Sequence, residues 1–178
     1  MESYIALLRG INVGGHKRIK MADLRAYLSG IGLIDVQSYI QSGNIVFKSE
    51  STAKGGLADS IQAVILKEYG FEVPTLILKV EDLERALALN PFKEEALDKV
   101  CYTFLDRNPE EDLVAECLKL DYSPERFAIK ESMIWLYLAN GFGRAKMNNN
   151  LFERKLKVHA TARNWNTVNK LIAMVKGD

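Results

Sequence analysis

Apolar positions along this chain alternate between the period of a strand and the period of a helix. Tyr4 to Leu8 is a short apolar run that predicts a buried strand. From Met21 to Ile31, residues Leu24, Tyr27, Leu28 and Ile31 recur at helical spacing, and Gly32 supplies the stop. Val36 to Gln41 and Asn44 to Lys48 are two strand patterns joined at Ser42-Gly43, a hairpin signal. Leu57, Ile61, Val64, Ile65 and Tyr69 share one face of a second helix that closes at Gly70. Val73 to Lys79 reads as a strand, with Pro74 near its start suiting an edge or entry position. The first half therefore reads β-α-β-β-α-β, the ferredoxin-like order.

A short helix over Glu81 to Leu89 leads to Asn90-Pro91-Phe92, where the chain breaks and the boundary between halves is placed. The expected domains are residues 1–90 and 91–178. In the second half Lys99 to Leu105 is a strand. Pro109 opens a helix, with Glu110, Glu111 and Asp112 matching the positive end of its dipole. Phe127 to Lys130 and Met133 to Leu138 form another hairpin, turning at Glu131-Ser132. Asn150 and Glu153 fit a capping box for a helix over Leu151 to Lys157. The last helix runs from Trp165 to Lys176, with Thr161 or Asn164 as its cap. This half reads β-α-β-β-α-α. Its hairpin aligns with the first, Tyr39 to Phe47 against Ala128 to Leu136, so an internal repeat is expected. The fold class is α+β, with two ferredoxin-like, βαββαβ-type subdomains, antiparallel sheets and a C-terminal helix.

Hydrophobic content of 48% and charged content of 26% match a globular protein. No apolar run approaches the ~20 residues that span a bilayer, and the N-terminus lacks the basic start and long apolar centre of a signal peptide. No membrane partner is expected. Cys101 and Cys117 fall in strand and helix patterns, which predicts buried reduced thiols and a cytoplasmic location. The net charge of +1 hides an asymmetry. Glu81 to Glu125 holds 13 acids against 5 bases, whereas residues from Arg126 on hold 10 bases against 3 acids. Such polarity suits an anionic partner at one end; it also suits two blocks that face each other or stay solvated.

The stretch Leu7 to Met21, LLRGINVGGHKRIKM, carries the strongest chemical signal. A strand empties into a loop holding Gly10, Gly14 and Gly15 with Arg9, Lys17, Arg18 and Lys20, and no acid lies between Glu2 and Asp23. Glycines let backbone N–H groups approach an oxyanion, and the helix that follows adds its positive end. Neither G-x-x-x-x-G-K-[ST] nor G-x-G-x-x-G is present, so no nucleotide fold motif applies. The opposing reading is a solvated loop whose glycines only shape turns. The candidate anion ligands are Arg9, Asn12, Gly14, Gly15, Lys17, Arg18 and Lys20, with Arg163 and Asn166 at the final helix. Gln41 and Asn44 in the hairpin, and Arg144 and Lys146 beside the asparagines Asn148 to Asn150, are possible accessories. Gln41 and Asn44 present amides to a ligand, brace the first loop, or serve the turn alone. In the simplest ferredoxin-like geometry the hairpin is expected at the end opposite the loop, which weakens a shared pocket. His16 and His159 have no acid, serine or cysteine partner by sequence, and no metal-ligand spacing occurs. The acidic clusters Glu94-Glu95 and Glu110 to Asp112 offer a magnesium site only on paper, because a helix start explains the second better. No metal and no cofactor are expected.

Several of these segments together resemble one family. Leu7 to Gly15, Lys20-Met21-Ala22-Asp23-Leu24, Ile40-Gln41-Ser42-Gly43-Asn44, Asn90-Pro91-Phe92 and Thr161-Ala162-Arg163-Asn164-Trp165 are similar to the bacterial family called domain of unknown function 1697. The resemblance spans almost the whole chain. It implies a compact α+β protein with two related ferredoxin-like subdomains; it implies no activity and no catalytic residues.

Three functional readings follow, and whether the protein is an enzyme stays open. The first is a non-enzymatic module for nucleic acid or another polyanion, using the basic loop and the basic C-terminal region. Two ferredoxin-like halves are expected to offer open sheets, although their strands lack the exposed aromatics of an RNA-recognition motif. The second is an enzyme or sensor that takes a small phosphorylated or carboxylated ligand between the halves through Arg9, Lys17 and Arg163. The third is a scaffold that self-associates through its asymmetric charge. Oligomeric state is open at this level.

Overall fold

The computed structural model describes residues 1–177 and divides into two compact units. Unit 1 is Met1–Glu84 with the residues from Asn169 on, and unit 2 is Arg85–Val168. The first division falls earlier than residue 90, inside a helix. The second returns the end of the last helix to unit 1, because a helix continues through a contact boundary that the chain pattern does not reveal.

Unit 1 holds β1 (Glu2–Leu8), α1 (Met21–Gly30), β2 (Ile34–Tyr39), β3 (Asn44–Ser49), α2 (Lys54–Tyr69) and β4 (Thr75–Leu78). The strands lie in the order β2-β3-β1-β4, antiparallel throughout. That is the ferredoxin-like arrangement. Tyr4, Ala6, Leu8, Ile45, Phe47 and Ile77 point from the sheet into a core completed by Leu24 and Leu28 of α1 and Leu57, Ile61 and Ile65 of α2. Each leucine, isoleucine or phenylalanine among them contributes about 1.5–3 kcal/mol by leaving water. Gly70 ends α2 in the left-handed region, at φ +76°, where its N–H donates to Leu66 O at 2.9 Å. The strand expected from Val73 begins only at Thr75, after Pro74.

The helix α3 (Val80–Ala88) crosses the unit boundary. Unit 2 then holds β5 (Val100–Leu105), α4 (Glu111–Cys117), β6 (Arg126–Lys130), β7 (Met133–Tyr137), α5 (Asn149–Leu156) and β8 (Ala160–Asn164), followed by α6 (Trp165–Lys176). Short 3-10 turns occupy Leu97–Lys99 and Phe142–Arg144. The sheet order is β6-β7-β5-β8. The segment expected to be only a helix cap, Thr161 to Asn164, is therefore an edge strand paired with β5, with Thr103 opposite Ala162. The second half is β-α-β-β-α-β and then a helix. Asn164 closes the strand and caps α6 at once, its Oδ1 accepting from Thr167 N at 2.9 Å. Two other caps differ from expectation. Asn148, not Asn150, caps α5 by accepting from Leu151 N at 3.0 Å, and Glu153 accepts from Ala160 N at 2.9 Å. Pro109 precedes the cap residue Glu110 and lies outside α4.

The two units repeat the same joints. Leu8 N donates to Gly43 O at 2.8 Å, and Leu105 N to Ser132 O at 2.9 Å. Arg9 N donates to Pro74 O and Asp106 N to His159 O, both at 3.0 Å. Gly43 and Ser132 are the residues that the hairpin alignment placed together, so the internal repeat extends from element order to register.

Neither sheet is open. On the face away from its helices, unit 1 has Ile5 and Leu7 without exposed surface, and unit 2 has Tyr102, Phe104 and Trp135 at 2% exposure or less. In unit 2, Trp135 Nε1 donates to Ala86 O at 2.9 Å and Asn90 Nδ2 to the Tyr102 hydroxyl at 3.1 Å, which seats the last turn of α3 and the segment after it on that face. Asn90 Oδ1 also accepts from Phe92 N, so Asn90-Pro91-Phe92 is a structural joint. The expected open platforms are absent. The unbroken apolar run of β1 already carries the sign of a strand covered on both faces.

Candidate functional site

In unit 1 the C-terminal end of β1 pairs with the N-terminal end of β3, Leu7 opposite Asn44. The hairpin therefore lies at the same end as the β1–α1 loop, not the opposite end. Parallel crossover sets this: β1 and β2 both run toward that end, with β3 returning between them. The α2–β4 connection arrives there too, as Arg9 N bonds Pro74 O. Gly43 allows the closest approach. A Cβ built on it would lie 2.5 Å from Leu8 Cβ and 3.0 Å from Ile11 Cδ1, at φ +79°.

The glycine-rich loop is ordered by its own bonds. Asn12, at φ 54°, donates through Nδ2 to Ile19 O at 3.0 Å and to Gln41 O at 2.7 Å, and its Oδ1 accepts from Ile19 N at 2.8 Å. Its amide is thus committed to bracing the loop against the hairpin. Ile11 and Ile19 bury both ends of the loop in the core. Between them Asn12 N donates to Lys17 O and His16 N to Val13 O, a miniature hairpin with Gly14 (φ 59°) and Gly15 (φ 79°) at its tip. Positive φ at both central residues is the I′ turn that two-residue hairpins favour. Gly14 and Gly15 serve that turn first. Asn44 is likewise internal, donating to Tyr39 O at 3.1 Å and Ser42 Oγ at 3.0 Å with no exposed surface.

Asn12, Gly15, Arg18, Ile19, Lys20, Gln41 and Tyr69 line one cavity of about 580 Å³. Its charged lining residues are Arg18 and Lys20, both exposed. Among the described residues Arg18 forms no hydrogen bond or ion pair, and a Cβ on Gly15 would lie 3.6 Å from its Nη2. Lys20 has only a loose contact with Asp23, 3.8 Å away. Lys17 is drawn to the neighbouring connection: Nζ donates to Glu72 O at 2.6 Å and stands 6.0 Å from the Phe71 ring centre. Tyr69, read from its spacing only as a helix-face residue, and Ile19 are the lining groups that sequence reasoning missed. The Gly70 stop was the one signal for Tyr69, since it places the end of α2 beside the loop. Its hydroxyl is buried without a partner, and burial, then the nearby Asp23, push the phenol's pKa up, so it remains a donor.

Arg9, half-buried just past β1, is not among the residues that line this cavity, and the other candidates belong to unit 2. Arg163 lies in β8 opposite Tyr102 and donates to Ala162 O at 2.8 Å. The residue keeps some accessible surface, yet its guanidinium is desolvated by its surroundings, which lowers its pKa to about 10. Asn166 is exposed in the first turn of α6, and Arg144 is exposed in its 3-10 turn. The backbone at Lys146 and Met147 donates to the Glu125 carboxylate at 3.1–3.3 Å, and that carboxylate is buried. A fixed acid thus sits behind Lys146. Cys101 and Cys117 are buried thiols; desolvation pushes Cys101 up to about 12. Among the described residues no three His, Cys, Asp or Glu side chains gather around a metal position, and no helix is long and apolar enough to cross a membrane.

No curated protein matches this chain. Among solved structures it is similar to the conserved bacterial protein SP0830 from Streptococcus pneumoniae, at 29% identity and a TM-score of 0.70, over 97% of this chain and 98% of that one. Residues 1–135, which hold the β1–α1 loop, the hairpin and Tyr69, match the model of a family described as protein of unknown function (DUF1697). The chain belongs to the DUF1697 family.

Proposed function

We propose that the protein is a binding module for phosphate-rich polyanions, with single-stranded nucleic acid as the fitting partner and the loop end of unit 1 as the contact. The observation that carries the reading is the Asn12 clamp, which holds Arg18 and Lys20 beside Gln41 around one cavity without any carboxylate in its lining. Both cations are exposed, as is Lys17 on the same loop, so they suit a partner that extends beyond the cavity. Phosphates position such a partner, and the Gln41 amide is of the kind that reads base edges. The lining offers no nucleophile paired with a base, so binding fits better than chemistry. Arg163 and Asn166 remain candidate contacts of unit 2. The buried thiols suit a cytoplasmic protein.

Fluorescence anisotropy with a labelled oligonucleotide tests the reading. Neutralising about four phosphates of a single strand gives a log–log salt slope near −3, a loss of roughly 60-fold between 50 and 200 mM salt. Arg18→Ala should weaken binding and flatten the slope by about 0.7. Absence of binding at low salt, or binding indifferent to salt, would refute it.

A second reading rests on the cavity volume, which suits a small phosphorylated or carboxylated ligand. A thermal-shift screen of phosphorylated metabolites separates the two. A ligand at 100 times its Kd adds about 2.7 kcal/mol, and silence across a broad set disfavours this reading.

A further inference from the structure

Strand β6 is the outer edge of the unit 2 sheet. Its register with β7 closes at Lys130 opposite Met133. Arg126, Ala128 and Lys130 therefore exchange bonds with β7, and the antiparallel alternation turns the N–H and C=O groups of Phe127 and Ile129 outward. Among the described residues these backbone groups have no partner. Sheet edges are commonly blunted by a bulge, a proline or a central charge. β2, at the edge of the unit 1 sheet, has a register shift between Ile34 and Gln37. β6 runs unbroken, with Phe127, Ala128 and Ile129 at its centre.

This edge borders a groove of about 470 Å³. Val114, Ala115 and Leu118 of α4 form one side, and Ile129 of β6 the other. Leu118 is 55% exposed. Glu111 and Glu131 also line the groove. Arg85 answers Glu131 at 2.8 Å. Among the described residues Glu111 forms no ion pair, nor do Glu110 and Asp112 beside it.

We infer that an extended, apolar and basic peptide segment of another protein adds to β6 as a further strand of this sheet. The outward backbone groups select an extended partner, because a strand presents donors and acceptors at the same spacing. Phe127 and Ile129 pack against the core on the helix side of the sheet. The peptide side chains opposite them therefore fall on that side and enter the groove beside Leu118. The next peptide residue on the same face lies opposite Glu131 and within the field of Glu111, which selects a cation. Read antiparallel to β6, the recognised pattern is basic-x-apolar-x-apolar. A second copy of β6 fits poorly, since antiparallel pairing about Ala128 would set Arg126 of one chain against Lys130 of the other.

The test uses the full chain and a short labelled peptide with Lys-Thr-Val-Thr-Val at its centre, followed by fluorescence anisotropy. Saturable binding in the micromolar range is expected. N-methylation of the two valines removes the N–H groups that would donate to Phe127 and Ile129, and should weaken binding by about tenfold or more. A peptide with Glu in place of its Lys should bind about tenfold more weakly. Glu111→Lys, at an exposed position, should reverse that preference. Leu118→Arg should abolish binding while circular dichroism stays native. Absence of binding overturns the inference. So does equal binding of the N-methylated peptide, equal binding of the two charge forms, or binding that survives Leu118→Arg. Self-association of the chain that Leu118→Arg abolishes, with no peptide bound, would overturn it in favour of a second copy as the occupant.

Discussion

Gly43→Ala tests the junction on which the loop end of unit 1 rests. Two costs add at this position. The backbone sits at φ +79°, where a residue with a Cβ pays about 1–2 kcal/mol. The new methyl would also stand 2.5 Å from Leu8 Cβ and 3.0 Å from Ile11 Cδ1, and Leu8 Cβ, bonded directly to the backbone, has no rotamer by which to move away. Forced overpacking of this kind costs about 1–3 kcal/mol. The total is roughly 2–5 kcal/mol out of a stability of about 5–15 kcal/mol. For a chain of this size each kcal/mol moves Tm by about 2–4 °C, so a fall of roughly 4–20 °C is expected. Gly14→Ala is the matched control. It shares the positive φ, at +59°, but its nearest neighbour is His16 Cδ2 at 3.8 Å, so it bears only the backbone cost. Calorimetric melts of the two variants isolate the steric part. Equal Tm values for Gly43→Ala and Gly14→Ala would refute the close approach of hairpin and strand, and with it the shared end.

Two further outcomes are expected. Ile40 is a β-branched residue in the left-handed region, at φ 49°, and is 51% exposed at the hairpin. Ile40→Asn should raise stability by about 1 kcal/mol in urea melts, because asparagine tolerates that conformation, and a loss of stability would refute the strain. The Cys101 thiol, pushed up to about 12 by burial, should not react with a disulfide reagent at pH 8 until denaturant is added. Since its folded pKa lies above the ordinary thiol value, its contribution is intact below that value and lost as pH rises toward 12, where the unfolded chain ionises first. Rapid labelling of the native protein would contradict this.

Much of the local structure is legible in the residue pattern. The hairpin at Ser42-Gly43, the stop at Gly70, the capping asparagine at position 164 and the repeat of the two halves all follow from short-range chemistry, because turns and caps draw on neighbours within a few residues. The β1 run from Tyr4 to Leu8 also carries the sign of its surroundings. Strands apolar at every position are covered on both faces, and Ile5 and Leu7 are.

Pairing across long sequence distance decided the rest. Ala160 to Asn164 alternates over only five residues and with alanine as its sole apolar type, too weak a pattern to mark a strand; hydrogen bonds to β5 make it one. The glycine-rich, cationic loop was visible, but the purpose of its residues was not. Asn12, a candidate ligand by residue type, braces the loop through its amide, which finds the Gln41 carbonyl 29 residues away. Gly14 and Gly15, candidate anion contacts, form a tight turn with positive φ at both residues. Arg18, Lys20 and Tyr69 line one cavity only because β3 returns between β1 and β2 and brings three connections to one end. Charge and glycine content are properties of the chain, read from its letters. Which charges stand together is set by sheet order, which no local period records.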